Sequence, residues 1–386
     1  MITRTFSIPQ NLSFFLFGPR QTGKSTLVDS LFTERTWKIE LLKSDQFLDY
    51  SKDPSLFRRE AEIKLDKGGL SVIIIDEIQR VPLLLNEVHY LMEKYRACRF
   101  VLTGSSARKL RAAGTNLLAG RAVERHLFPF TAKELGARFD LESALKYGTL
   151  PSIFDKEPIM QEEILSAYVH TYLQEEIRSE GLARNLGSFS RFLEIAASRN
   201  GESVNFSAIA RECMLALRTV QSYYEILEDT LIAVRLDAWH KSLRKRLATQ
   251  PRYYLFDMGV TNAVGRRLTA GIDPALRGRL FEQFIVLETF RSLKYRRSEA
   301  SLYYWRTSAG AEVDLLIEKH GKFIAACEIK SSSHIAGADC SGLQAFADDN
   351  PGVPCYIICP ARNAFDINAV HVLPWQEYLA GLDEWL

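Results

Sequence analysis

The segment SFFLFGPRQTGKSTLVDSLF, residues 13–32, constrains the fold more than any other part of the chain. An apolar run stops at Gly18. A loop bracketed by Gly18 and Gly23 follows, and Lys24, Ser25 and Thr26 open a run with helical patterning. Gly18-Pro19-Arg20-Gln21-Thr22-Gly23-Lys24-Ser25 fits the pattern G-x-x-x-x-G-K-[ST]. Glycines let the backbone wrap an anion without Cβ clashes, so that successive N–H groups converge on it. A helix starting at Lys24 points its positive end at the same anion. Lys24 brings a mobile charge to the β- and γ-phosphates of a nucleotide, and Ser25 offers a hydroxyl to Mg²⁺. Residues 18–26 are the expected nucleotide-binding set.

A second segment, SVIIIDEIQRVP, is a β-branched run that ends in Asp76 and Glu77. An acid at the end of a buried strand, downstream of a phosphate loop, is placed to hold Mg²⁺, usually through water. The adjacent Glu77 then orients and deprotonates an attacking water. A third segment, RFVLTGSS (99–106), is another buried strand ending in small polar residues. Thr103, Ser105 and Ser106 are candidates for a sensor of the γ-phosphate, or equally for capping the helix that follows.

The first 150 residues or so alternate short apolar runs with helical patterns, the mark of a parallel α/β sheet. Candidate strands are Ser13–Phe17, Lys38–Leu42, Val72–Asp76, Arg99–Gly104 and Ala122–Leu127. Residues 156 to 230 are helical in pattern, and strands return from 251. This predicts three parts: 1–155, a P-loop ATPase domain of α/β class; 156–250, a helical winged-helix domain; and 251–386, an α/β endonuclease-like domain. Hydrophobic content of 47% and charged content of 25% are ordinary for a soluble globular chain. No apolar run approaches the ~18 residues that span a bilayer, so no membrane association is expected. The N-terminal apolar stretch runs straight into the glycine loop, unlike a signal peptide. None of the six cysteines forms a C-x-x-C pair, and a reducing cytoplasm is the natural setting.

The three motifs, with LAGR at Leu118–Arg121 and PFTAKE at Pro129–Glu134, resemble the AAA-type ATPase domain of a bacterial and archaeal family. The resemblance covers residues 12 to about 135. It implies ATP rather than GTP, since no N-K-x-D motif occurs, and a possible γ-phosphate contact by Arg121, in cis or in trans. The alternative for Arg121 is an ordinary surface arginine.

Residues 181–300 hold 19 Lys/Arg against 12 Asp/Glu, a net +7, while 301–386 hold 5 against 11, a net −6. The basic part is the first place to look for a polyanion partner. It contains NFSAIARECMLALRTVQSYYEILEDTLIAVRL, which fits a helix-turn-helix followed by a strand. If it binds DNA, Arg218, Thr219 and Gln221 face the major groove. The basic loop 241–252, with Lys241, Arg244, Lys245, Arg246 and Arg252, then touches phosphates. Otherwise the module packs between its neighbours. The acidic end of its second helix, Glu225, Glu228 and Asp229, weakens it as a recognition helix.

The last third carries Glu282 on an amphipathic helix, Asp314 on one strand, and Glu328 and Lys330 two apart on the next. The E-x-K pair shares a strand face. Such acids can hold Mg²⁺ beside a phosphodiester, with Lys330 polarising water or phosphate. The set resembles the restriction-endonuclease-like fold with its PD-(D/E)xK pattern, a domain the same ATPase family carries at this position. Two features depart from it: no proline precedes Asp314, and the segment is net acidic. Gln344 matches a polar position often found near such sites. The sequence thus supports an ATPase with Glu77, Lys24, Arg121, Thr103 and Ser105 as its catalytic set and ATP and Mg²⁺ as cofactors. It leaves open an ATP-gated DNA nuclease using Asp314, Glu328 and Lys330. It also leaves open a nucleotide-dependent switch with an inactive C-terminal domain that binds a protein partner or a second copy.

Overall fold

The computed structural model describes residues 2–112, 118, 120–173, 186–242 and 249–386. They divide into two compact units. One comprises Phe6–Phe128 with Ile226–Ile232; the other comprises Met1–Thr5, Pro129–Glu225 and Ala233–Leu386. The division falls at 128/129 rather than near 155, and the helical segment clusters with the C-terminal third.

Among the described residues, the first unit holds a five-stranded parallel sheet in the order β2-β3-β4-β1-β5. Its strands are β1 (Ser13–Phe17), β2 (Thr36–Glu40), β3 (Val72–Asp76), β4 (Arg99–Gly104) and β5 (Ala122–His126). Helices α1 (Lys24–Leu31), α2 (Ser44–Lys52), α3 (Pro54–Asp66), α4 (Leu84–Lys94) and α5 (Arg108–Ala112) accompany it. β1, β3 and β4 are buried along almost their whole length, as continuous apolar runs in a covered parallel sheet must be. β2 lies two residues earlier than its apolar run suggests. It is an edge strand whose limits follow its register with β3, Thr36 against Val72 and Glu40 against Asp76, and Trp37 stacks on Phe57 at 5.8 Å.

The second unit opens with α6 (Ala132–Leu135), α7 (Leu141–Tyr147) and α8 (Pro158–Ala167). Next come α9 (Leu186–Ser198), α10 (Phe206–Cys213) and α11 (Leu217–Asp229), which belongs to this unit as far as Glu225, followed by the antiparallel hairpin β6 (Ala233–Ala238) and β7 (Arg252–Leu255). Met214 takes the left-handed conformation (φ 55°) in the turn between α10 and α11. The chain continues through α12 (Met258–Val264) and the long α13 (Pro274–Arg296). β8 (Ser301–Arg306), β9 (Glu312–Lys319), β10 (Lys322–Ile329), α14 (Ser341–Asp349), β11 (Cys355–Cys359), β12 (Phe365–Ile367), β13 (Val370–Pro374) and α15 (Trp375–Trp385) complete it. The strands form one mixed sheet, eight-stranded among the described residues, in the order β12-β13-β11-β10-β9-β8-β6-β7. β6 pairs in parallel with β8, so the hairpin after the three helices is continuous with the C-terminal sheet.

Segment 129–149 is tied into this unit by buried polar groups. Arg291, 1% exposed, donates to the carbonyls of Phe130 (3.2 Å) and Phe256 (2.8 Å) and to Glu288 (3.1 Å). Glu288 also accepts from the Ala132 amide at 2.9 Å. Burial pushes the Glu288 carboxyl up to about 7, against the downward pull of Arg291. In the unfolded chain it titrates near 4.5. Between those values the folded chain keeps a proton that the unfolded chain releases. Its contribution to stability is therefore full below about pH 4.5 and is lost as pH rises through about 7. The melting temperature of Glu288→Gln is expected to fall less steeply than that of the parent between about pH 5 and about pH 8. Parallel curves would contradict the assignment.

Candidate functional site

The loop between β1 and α1 lies at the C-terminal edge of the parallel sheet, where ligands of open α/β sheets bind. Packing requires Gly18 to be glycine: a Cβ there would stand 2.2 Å from the Leu127 carbonyl oxygen. Gly23 (φ 87°) and Gln21 (φ 63°) turn the chain through left-handed conformations just before α1. Inside the loop, Thr22 Oγ1 donates to the Pro19 carbonyl at 2.9 Å. Lys24 Nζ donates to the carbonyls of Gly18 (2.8 Å) and Pro19 (3.0 Å). Lys24, only 6% exposed, thus lies folded into the loop. Arg20 is half-buried and Thr26 exposed.

Asp76 ends β3 beside this loop. Ser25 Oγ donates to its Oδ2 at 2.9 Å, and Thr103 Oγ1 donates to its Oδ1. The Glu77 amide donates to Thr103 Oγ1 at 3.3 Å. Glu77 itself sits at φ 61°, a conformation that costs a non-glycine residue about 1–3 kcal/mol. Its carboxylate accepts from Gln79 Nε2, which also donates to Ser105 Oγ at 3.1 Å. Ser106 is buried, and its hydroxyl has no hydrogen-bond partner among the described residues. The structure therefore brings Lys24, Ser25, Asp76, Glu77, Thr103 and Ser105 to one edge of the sheet. Gln79 is a member the sequence reading did not assign a role. It stands two residues past the acid pair in a single 3-10 turn, a position no side-chain periodicity marks. Gly104 makes room for it: a Cβ there would meet Gln79 Oε1 at 2.5 Å.

Arg121 is not among them. It precedes β5, whose Ala122 pairs with Ser13 at the start of β1, whereas the glycine loop follows the end of β1. About 17 Å of strand separates the two edges. A γ-phosphate contact in cis is therefore ruled out for Arg121 in this arrangement. Its guanidinium pairs with Glu93 at 2.5 Å and borders a cleft of about 790 Å³ together with Asn11, Arg96 and Arg99.

In the second unit, Glu282 on α13, Asp314 on β9, and Glu328 and Lys330 on and just after β10 do come together. Lys330 Nζ donates to Glu328 Oε1 at 2.9 Å, and the Ile329 amide donates to Asp314 Oδ2 at 2.9 Å. Tyr254 OH donates to Glu282 Oε1 at 2.6 Å. Burial and the neighbouring Asp314 charge push the Glu282 and Glu328 carboxyls up to about 7. Glu328 Oε2 is buried without a hydrogen-bond partner among the described residues. Gln344 is exposed on α14.

Arg252 corrects the sequence reading. It is not a phosphate-facing loop residue: it lies on β7, 5% exposed, with its side chain turned into the acid cluster. Its Nη1 lies 3.2 Å from Glu282 and 3.6 Å from Asp314, and its Nη2 pairs with Glu312. The guanidinium also stacks 4.5 Å from the centre of the Tyr304 ring. Among the described residues, no three His, Cys, Asp or Glu side chains are arranged to hold a metal ion. With the Arg252 guanidinium between Glu282 and Asp314, the Mg²⁺ expected at Glu282, Asp314 and Glu328 does not fit this arrangement. Of the remaining basic loop, Lys241 is exposed, while Arg244, Lys245 and Arg246 lie outside the described residues. On α11, Arg218 and Gln221 are exposed and Thr219 half-buried, with Glu225 and Glu228 also exposed.

Residues 10–136 match the family model of an AAA domain. The N-terminal part of the chain is thus similar to ATPase-type nucleotide-binding domains, consistent with its parallel sheet. Residues 138–274 match a domain of unknown function, DUF8612, and residues 277–378 match another, DUF4143. Over 315 residues the chain is 29% identical to an uncharacterized protein of Mycobacterium tuberculosis, covering 80% of this chain and 68% of that one. An uncharacterized protein of Mycobacterium bovis matches to the same extent. An uncharacterized protein of Haemophilus influenzae is 24% identical over 322 residues, covering 75% of this chain and 79% of that one. No helix among the described residues is long and apolar enough to cross a membrane.

Proposed function

We propose that the chain is a Mg²⁺-dependent ATPase whose nucleotide state controls its C-terminal part. The observation that carries this reading is the joint bonding of Ser25 and Thr103 to Asp76 at the edge that bears the glycine loop. In this reading residues Gly18–Thr26 bind ATP, and Lys24 swings from the loop carbonyls onto the β- and γ-phosphates. The Ser25 hydroxyl and Asp76 carboxylate are hard oxygen donors of the kind Mg²⁺ takes, and they are already adjacent. When bound, the ion neutralises phosphate charge. Glu77 accepts the proton of the attacking water, and Thr103 and Ser105 stand at the γ-phosphate edge. The products are ADP and phosphate. Arg121 is left for a γ-phosphate contact in trans, which requires a second copy.

In the same reading α9–α11 with the β6–β7 hairpin form a winged helix, and the sheet from β8 to β13 is endonuclease-like. Two observations favour an interaction switch over a DNA-cutting enzyme. Arg252 lies within the acid cluster, and the exposed side of α11 mixes Arg218 with Glu225 and Glu228. The partner in this form is a protein or a second copy.

The test is calorimetric titration with ATP and Mg²⁺. Lys24→Ala is expected to weaken binding about 10- to 100-fold, the loss of one charged hydrogen-bonding group at about 1.5–3 kcal/mol. Unchanged affinity would remove the loop from nucleotide binding.

A further inference from the structure

We infer that the Arg252 guanidinium is the resident cation of the C-terminal acid cluster, standing where an endonuclease-like site needs a divalent ion, so that this unit works without a bound metal. The same nitrogen, Nη1, lies 3.2 Å from the Glu282 carboxylate and 3.6 Å from that of Asp314. That is the position between helix acid and strand acid that a shared metal would take. The other terminal nitrogen goes to Glu312. A divalent ion needs several oxygens converging at about 2.0–2.6 Å on one point. Here those oxygens converge on a fixed organic cation instead. The position between the Glu282 and Asp314 carboxylates is thus already filled by a cation, and a metal entering beside it would meet a like charge in a poorly solvated site.

The guanidinium is built in. The Arg252 side chain is 94% buried by its 6% exposure, lies over the Tyr304 ring, and stands on a strand paired into the sheet. Tyr254, two residues on and therefore on the same strand face, donates to the same Glu282 oxygen, Oε1, that Arg252 contacts. One observation points the other way: Glu328 Oε2 is buried without a partner among the described residues. A single orphan oxygen is not a coordination set, and its neighbour Oε1 is already taken by Lys330. The cluster thus ties β7 to α13 and β9. It fastens the hairpin that follows the three helices to the sheet, and the carboxylates serve as an anchor rather than as a reaction centre.

The test is Mn²⁺ titration of the full chain without nucleotide, read by the electron paramagnetic resonance signal of free Mn²⁺. Because nucleotide is absent, the outcome does not depend on the ATPase reading. Parent and Asp314→Asn are expected to bind Mn²⁺ equally. A parent site that disappears in Asp314→Asn overturns the inference. Arg252→Gln, which keeps the length but removes the charge, is expected to gain Mn²⁺ binding that Asp314→Asn then abolishes. If circular dichroism shows Arg252→Gln folded and it gains no Mn²⁺, Arg252 is not what excludes the metal, and the inference falls. If it does not fold, the comparison of the parent with Asp314→Asn decides alone.

Discussion

Replacing Glu77 with Gln is expected to slow ATP turnover about 10²- to 10⁴-fold, the loss of a positioned general base, while nucleotide affinity stays close to that of the parent. The substitution keeps size and polarity. The backbone bond from Glu77 to Thr103 is untouched, so the residue keeps its left-handed turn beside Asp76. What changes is the ability to take a proton. Gln79 Nε2 would face an amide instead of a carboxylate, and its bond to Ser105 would remain. Single-turnover hydrolysis with calorimetry on the same sample separates chemistry from binding. Normal turnover would take Glu77 out of the mechanism. A parallel loss of turnover and affinity would assign it to binding instead.

Gly148→Ala is expected to destabilise the second unit by about 3–5 kcal/mol, the range of severe single substitutions. Gly148 has φ 75°, and a Cβ there would stand 1.9 Å from Asp257 Oδ1. Asp257 is fully buried at the start of α12 and accepts from the amides of Thr149 (2.8 Å) and Val260 (3.1 Å). The methyl group cannot yield to backbone on its own side, so the carboxylate must leave its donors. Buried amides without partners cost about 1–3 kcal/mol each, and the backbone at φ 75°, ψ −164°, a region nearly reserved for glycine, adds about 1–3 kcal/mol. Gly321→Ala gives the cost of a methyl group at a positive-φ glycine with open space around it, φ 76°. Thermal melts of the two variants should differ by several degrees or more. Equal melts would show that segment 148–149 yields without disturbing Asp257.

The gathering of Lys24, Ser25, Asp76, Glu77 and Thr103 at one sheet edge is largely legible in the sequence because its determinants are local. Glycine spacing, a β-branched run ending in an acid, and a run ending in Thr103 each lie within a dozen residues, and the sheet order brings their ends together. Gln79 escaped because its role depends on which neighbour the 3-10 turn presents, and this is decided by β4 packing alongside β3. For Arg121 the sequence leaves a γ-phosphate contact in cis, one in trans and an ordinary surface arginine open, because the LAGR motif says nothing of which end of β5 it occupies; the register with β1 decides that. Arg252 was misread for the opposite reason. It follows a run rich in Lys and Arg, and composition grouped it with them. Yet it opens the alternating strand of Arg252 and Tyr254, whose inward face carries both. Nothing local signals that a strand after the three helices joins the sheet of the last third, since the pairing of β6 with β8 spans more than sixty residues.

That pairing has a practical consequence for anyone who cuts the chain into pieces. A fragment beginning at 251 would lose β6 and leave β8 as an open border, with unpaired amides and carbonyls along it. Open strand borders recruit other strands, so such a piece should self-associate whatever the native protein does. A cut before Pro129 preserves the whole eight-stranded order and gives a sounder starting point for studying the C-terminal part by itself.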